Sequence, residues 1–359
     1  MRAINLKTNH LTAPLGMDAG PLFLSWQCAD GVRQTAYEIE LTANGETVWH
    51  SGKVQSAAVH ADAPTVGGSR VRGCWRVRLW DENDAPGAWS EAHFETGLAQ
   101  SDWQGEWVDP ETEEIDIPGD DAINTFARPN WERKQAEKEA AGKGAAEPYK
   151  PHRPASYLRK VFTAPKSDAR LYITAKGLYA VWLNGVRVGD MVLAPGSFTG
   201  NKHLAVQTYD VTRYLRDGEN ELLVALGDGW HRSTGGVDGD RDLFGDTLGV
   251  LFQLEVDGQA VCVSDGSMQA TQCGPIRQND MQQGEVYDAR FEGNLTGWHG
   301  VRVYRDDLPI TGMNTVPILE HEAFPGKLLQ TPNGETVLDF GQNIAGYGEM
   351  LSLIHISEP

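Results

Sequence analysis

The sequence predicts an all-β chain of tandem β-sandwiches, a small one followed by a larger jelly-roll, and three observations carry that prediction. Residues 22–96 consist of short apolar-alternating runs (LFLSW, AYEIEL, ETVWHSG, CWRVRLW, AHFETG) broken by Gly, Asn and Asp, which is the texture of a small sandwich. The same texture returns at Tyr157 and persists to about Arg305 in longer runs. Within that second region Asn184-Gly185 lies between Val181, Leu183, Val186 and Val188, a strong short-range hairpin signal.

In AYEIEL, Tyr37, Ile39 and Leu41 share one face of a strand while Glu38 and Glu40 take the other, as a half-buried strand requires. Trp26, Trp75 and Val77 are expected in the same core. DENDAPG (residues 81–87) reads as the turn that returns the last strand, with Trp89 packed beside it. This first sandwich is expected to span residues 1–98.

Residues 99–154 change character. An acidic, proline-bearing run (DPETEEIDIPGDD) leads into WERKQAEKEAAGKGAAE and then PYKPHRPAS, and few of these residues could fill a core. A short surface helix is expected over residues 134–141, ended by Gly142 and Gly144. Asp116, Asp120 and Asp121 could be read as calcium ligands. They lack the alternation and following glutamate of an EF-hand loop, so a solvated acidic linker is the reading adopted.

The second sandwich is expected over residues 155–312 as a jelly-roll. Val211 to Leu215 suggests a turn or short helix, Asp217-Gly218 leads into the strand of residues 221–226, and Asp257-Gly258 turns another hairpin. Residues 313–350 open a further strand-and-turn pattern, ETVLDFGQNIAGYGEM. The tail LSLIHISEP (residues 351–359) is similar, letter for letter, to the translated mosaic-end adapter of transposon-based sequencing libraries, and is expected to be foreign to the fold.

Composition narrows the partners. At 359 residues and 40% apolar content there is material for two or three domains. A formal net charge of −19 argues against nucleic acid and anionic membranes and leaves a neutral ligand such as a sugar. No apolar h-region opens the chain and no run approaches the ~20 apolar residues of a membrane span, so a cytoplasmic location is expected. Cys28, Cys74, Cys262 and Cys273 show no C-x-x-C spacing and no histidine cluster, so they read as thiols. Neither a metal nor a cofactor is expected.

Taken together, LTAPLGMDAGPLFLSWQ, GVRQTAYEIEL, CWRVRLWDEN, WSEAHFETGL, LYITAKGLYAVWLNGVRVGD, VLAPGSFTGNKHLAVQTYDVTRYL, GENELLVALGDGWHR and GEVYDARFE resemble, in that order, the N-terminal half of the large bacterial α-L-rhamnosidases, inverting enzymes of glycoside hydrolase family 78. The resemblance implies a fibronectin type III-like first sandwich, and LDFGQNIAGYG is similar to the start of that family's concanavalin-like third module, expected here over residues 313–350 and incomplete. The resemblance implies an (α/α)6 barrel that carries the catalytic acid and base and lies outside this chain, so no catalytic residue is assigned. It implies a parent protein that hydrolyses terminal non-reducing α-L-rhamnose from rhamnosides with inversion, the present fragment being accessory and inactive. Rhamnose-containing glycosides would then be partners only through the barrel. Two other functions are a non-catalytic carbohydrate-binding or adhesion module and a related hydrolase for another terminal sugar. Near Ser267 relatives tend to place an aromatic where this chain has Met268.

Two loops offer candidate site residues. ALGDGWHRSTGGVDGDRDLFGD (residues 225–246) follows a strand and carries Asp228, Trp230, His231 and Arg232, with Arg241 further along; Trp230 could stack on a sugar while Asp228 accepts hydroxyl hydrogen bonds, or the loop could dock on the barrel, the reading preferred. Glu285, Tyr287 and Asp288 of GEVYDAR are candidates of the same kind. Glu285 and Asp288 could be imagined as an acid–base pair, but their proximity in an apparent turn points to structural hydrogen bonding.

Overall fold

A computed structural model describes residues 1–115, 128–145, 153–235 and 240–347, with only the backbone for residues 128–131. Asp116, Asp120, Asp121 and the tail of residues 351–359 lie outside the described residues. Two compact units emerge, one of residues 1–189 with 193–316 and one of residues 190–192 with 317 onward.

The larger unit is a tandem of β-sandwiches. In the first, strands Arg2–Thr8, Gly20–Ala29 and His60–Val66 form one sheet. Glu46–His50, Ala36–Ala43, Arg72–Trp80 and Ser90–Glu95 form the other, with Val54–Gln55 at its edge. The alternation read from sequence places the core: Trp26, Ile39, Leu41, Trp75 and Val77 are buried and Tyr37 packs against them. Trp75 Nε1 donates to Thr8 Oγ1 at 2.8 Å, so its polar edge is satisfied in the interior. On the opposite face Glu38 is held by Arg78 and His50, and Glu40 by Arg76. The turn at 81–87 closes through Asp81 Oδ1, which accepts from the backbone of Asn83 and Ala85. Trp89 lies under the guanidinium groups of Arg76 and Arg78, at 4.7 and 4.8 Å.

The second sandwich packs a six-stranded sheet on a larger mixed one. Ser156–Ala164 is central to the first sheet, flanked by Gly218–Gly227 and Gln269–Thr271; Ala169–Lys176 is central to the second, between Leu204–Asp210 and Gly249–Val256. Within residues 99–154 the stretch Trp107–Asp109 is itself a strand of this sandwich, paired with Arg302–Tyr304. Asn184 and Gly185, with φ of 54° and 80°, turn the hairpin joining Leu178–Leu183 to Val186–Arg187. Both central residues of that turn type need positive φ, which Asn and Gly adopt most readily. Val181, Leu183 and Val188 are buried, whereas Val186 at the edge is half exposed. Met268 is fully interior. The helix Arg128–Ala140 starts earlier than the expected residue 134 and ends one residue short of 141.

The two sandwiches meet through a polar junction rather than an apolar one. Arg70 of the first donates from Nε and Nη2 to the two carboxylate oxygens of Glu255 of the second, both at 2.6 Å. Arg170 of the second returns the arrangement onto Glu95 of the first, at 2.7 and 2.6 Å. Arg72 reaches across to Asp168. Paired forks of this kind fix orientation, since each offers two parallel bonds in one plane. Beside them Gly16, at φ of 73°, lies so close to Thr208 that a Cβ built on it would stand 1.8 Å from Thr208 Oγ1.

The smaller unit holds a hairpin, Lys327–Gln330 with Thr336–Asp339, closed by Thr331 N donating to Glu335 O. Every residue of both strands is exposed, Leu328 by 73%. Two strands alone bury little apolar surface.

Candidate functional site

The strand Gly218–Gly227 runs directly into a one-turn helix, Gly229–Arg232, so the candidates Asp228 to Arg232 sit where the chain leaves the sheet. Gly229 has φ of 52°, and Leu178 occupies the place a side chain would take, so only glycine permits this tight exit. The turn drives Asp228, His231 and Arg232 inward. All three are buried, while Trp230 stays half-buried.

Around them lies an internal charge network. Arg232 Nε donates to Asp228 Oδ1 at 2.8 Å and its Nη1 to Thr112 Oγ1 at 2.6 Å. Arg153 Nη1 stands 3.8 Å from Asp228 Oδ2 and donates at 2.8 Å both to Asp242 Oδ1 and to the carbonyl of Arg232; its Nε reaches Glu114 Oε1. Arg241 binds the same Glu114 oxygen at 2.9 Å. Burial pushes the Asp228 carboxyl up, and the neighbouring guanidinium groups of Arg232 and Arg153 oppose that rise. Asp280 accepts from the backbone of Thr234, Gln282 and Gln283, tying the next turn to the same region.

The Asp228 carboxylate is thus engaged in the interior, where it holds arginines in place. Of the four loop candidates, Trp230 alone keeps partial access to solvent. Arg241 was noted with its loop, but Arg153, Glu114 and Asp242 were not singled out in the sequence, because the network's members are scattered from residue 114 to 242. The one available signal was an arginine embedded in the proline-bearing PHRPAS just before a strand.

His231 is wedged beside Gly200 and Gly245. Its Nε2 donates to Thr247 O at 3.1 Å and its Nδ1 is buried with no hydrogen-bond partner among the described residues. Burial, assisted by Lys176, lowers its pKa from 6.5 to about 4. A base whose folded pKa is depressed binds fewer protons folded than unfolded below pH 6.5, so stability is flat above that pH and falls as the pH drops from 6.5 towards 4. The integrated loss is at most about 3 kcal/mol. Urea titrations at pH 7, 5.5 and 4.5 should show that loss in the wild type and a smaller one in His231→Gln; identical pH dependence in both would remove His231 as its source.

The second candidate group is surface structure. Gly284–Tyr287 pairs with Ile276–Asp280, leaving Glu285 and Tyr287 exposed, with Tyr287 donating to Glu292 at 2.5 Å. Asp288 caps the following turn, accepting from Arg290 N at 3.1 Å and from Arg290 Nε at 2.8 Å, and that neighbour lowers its pKa to about 2. A carboxyl held so low is a poor proton donor at neutral pH, so the arrangement does not prepare Asp288 as a general acid. Among the described residues no group of three or more His, Cys, Asp or Glu could hold a metal ion, and no helix is long and apolar enough to cross a membrane.

Comparison with known proteins places this architecture. Residues 3–100 match the profile of the Rha78A-like N-terminal immunoglobulin domain and residues 164–327 that of the α-L-rhamnosidase N-terminal domain. An immunoglobulin-like sandwich is thus followed by a sandwich of the α-L-rhamnosidase N-terminal type. The chain belongs to the α-L-rhamnosidase family, glycoside hydrolase family 78. An α-L-rhamnosidase of Formosa agariphila is 35% identical over 305 residues, covering 78% of this chain and 29% of that protein. The crystal structure of native α-L-rhamnosidase from Aspergillus terreus aligns with 95% of this chain and 39% of its own, at 27% identity and a TM-score of 0.76. The α-L-rhamnosidase structure from Dictyoglomus thermophilum covers 96% of this chain and 39% of its own, at 26% identity and a TM-score of 0.73. The chain therefore spans well under half the length of these relatives.

Proposed function

We propose that these sandwiches are the N-terminal accessory part of an α-L-rhamnosidase that removes terminal non-reducing α-L-rhamnose from glycosides with inversion, its catalytic groups residing in a barrel beyond the residues present. The observation that supports this reading is the order of the two matched modules, each assigned to the same family and joined without another matched domain between them. Inversion requires two carboxyl groups about 6.5–9.5 Å apart on opposite faces of the sugar, one protonating the leaving oxygen and one activating water. The candidates Asp228, Glu285 and Asp288 have other employment, respectively an internal ion pair, a hairpin surface and a turn cap, which supports placing the chemistry elsewhere. In this reading the loop of residues 225–246, the Glu285–Asp288 hairpin and the exposed hairpin at Lys327–Gln330 serve docking of the remaining modules, Trp230 and Tyr287 being the accessible aromatic groups. A cytoplasmic location fits the four cysteines, all of them thiols.

The test compares the chain of 359 residues with the product of the uninterrupted parent reading frame on a chromogenic α-L-rhamnoside. The parent should turn over and release the β-anomer first, detected by NMR, while the shorter chain should not. Turnover by the shorter chain that is lost in Glu285→Gln or Asp288→Asn would place the acid and base within it. A parent without hydrolytic activity that still binds rhamnosides would favour the binding-module reading instead.

A further inference from the structure

Between the two sandwiches of the larger unit lies a cavity of about 260 Å3 that the proposed hydrolysis does not use. At roughly 30 Å3 per water it would hold eight or nine waters, or one monosaccharide ring. Its mouth is framed by one tight turn from each sandwich, Asn44 (φ 50°) of the first and Asp257-Gly258 (φ 49° and 75°) of the second. Its wall alternates in sign. Arg70, Arg72 and Arg170 face Glu95, Asp168 and Glu255, each guanidinium already in an ion pair. Tyr172 lines the same wall at 2% exposure, and its hydroxyl makes no hydrogen bond to any described residue.

The hydroxyl is not among the atoms sealed from solvent, so it opens onto the cavity and is free to bond an occupant. An ion of either sign would be repelled by half of this wall. A neutral polyhydroxylated molecule meets no such conflict, because each of its hydroxyls can donate to a carboxylate and accept from a guanidinium or from the phenol. We propose that this junction cavity is a binding site for a neutral monosaccharide-sized polyol, with Tyr172 as the hydrogen-bonding anchor and the reciprocal Arg–Glu forks as its rigid walls.

Isothermal titration of the chain with L-rhamnose, and with sodium gluconate and glucosamine hydrochloride as charged comparators, tests it. L-Rhamnose should bind saturably in the millimolar range, and more tightly than either comparator. Tyr172→Phe, which removes one unbonded hydroxyl and nothing else, should weaken that binding about fivefold or more while leaving the melting midpoint unchanged. Amide chemical shifts should move at Asn44 and Gly258 in the wild type and much less in the variant. Absence of saturable L-rhamnose binding up to roughly 100 mM, equal affinity in Tyr172→Phe, or preference for a charged comparator would each overturn the proposal.

Discussion

Asp228→Ala is expected to destabilise the second sandwich by about 3–5 kcal/mol, the range seen when one partner of a buried ion pair is removed. Arg232 and Arg153 are both almost wholly buried and would lose the carboxylate between them. With Arg153, Arg232 and Arg241 on one side and Asp228, Asp242 and Glu114 on the other, the network balances three charges with three, and the deletion leaves it one positive charge in excess. Asp228→Asn should cost less, because an amide oxygen can still accept from Arg232 Nε. Asp288→Ala, whose exposed partner Arg290 remains solvated, should change stability little. Urea unfolding followed by tryptophan fluorescence gives the ranking; a cost for Asp228→Ala no larger than for Asp288→Ala would show that the network contributes nothing beyond its surface analogue.

Gly16→Val should be nearly as damaging, by roughly 2–6 kcal/mol, adding an overpacked contact to a strained backbone. The new Cβ would overlap Thr208, and φ of 73° disfavours a β-branched residue in any surroundings. Gly45→Val separates the two causes, since Gly45 has φ of 85° but nothing within 4 Å of its Cβ position. The excess of the first variant over the second measures crowding at the junction, and it should coincide with faster proteolysis between residues 97 and 106. Equal costs would mean that the sandwiches do not press together at Gly16.

What could be read in the sequence and what could not divides along a physical line. Strand alternation and tight turns are local: Ile39, Leu41, Trp75 and the Asn184-Gly185 turn betray themselves within a few residues, because side-chain direction and φ preference are properties of short segments. The direction taken by Asp228, His231 and Arg232 was not local. A loop rich in glycine, aromatic and charged residues has the composition of a binding surface whether it faces out or in, and the Arg153 that its buried groups meet is reached only through the fold. The junction was equally hidden, since Arg70 and Glu255 stand 185 positions apart. Family membership was readable because it depends on the succession of many short motifs, each weak by itself.

The anchoring of both flanks of residues 115–152 has a consequence for how this architecture can vary. Gln272 Nε2 donates to the carbonyls of Glu113 and Pro154, its Oε1 accepts from Glu113 N, and Arg153 clasps Glu114, so the chain is gripped where it departs and where it returns. With the two ends held by the scaffold, doubling the number of residues between them adds only about 0.6 kcal/mol of closure entropy. That position is a splice point: a whole folded module could be grafted into it at little cost to the sandwich beneath, whereas excision would also take away the ion pair that Lys134 of the helix Arg128–Ala140 makes with Asp240.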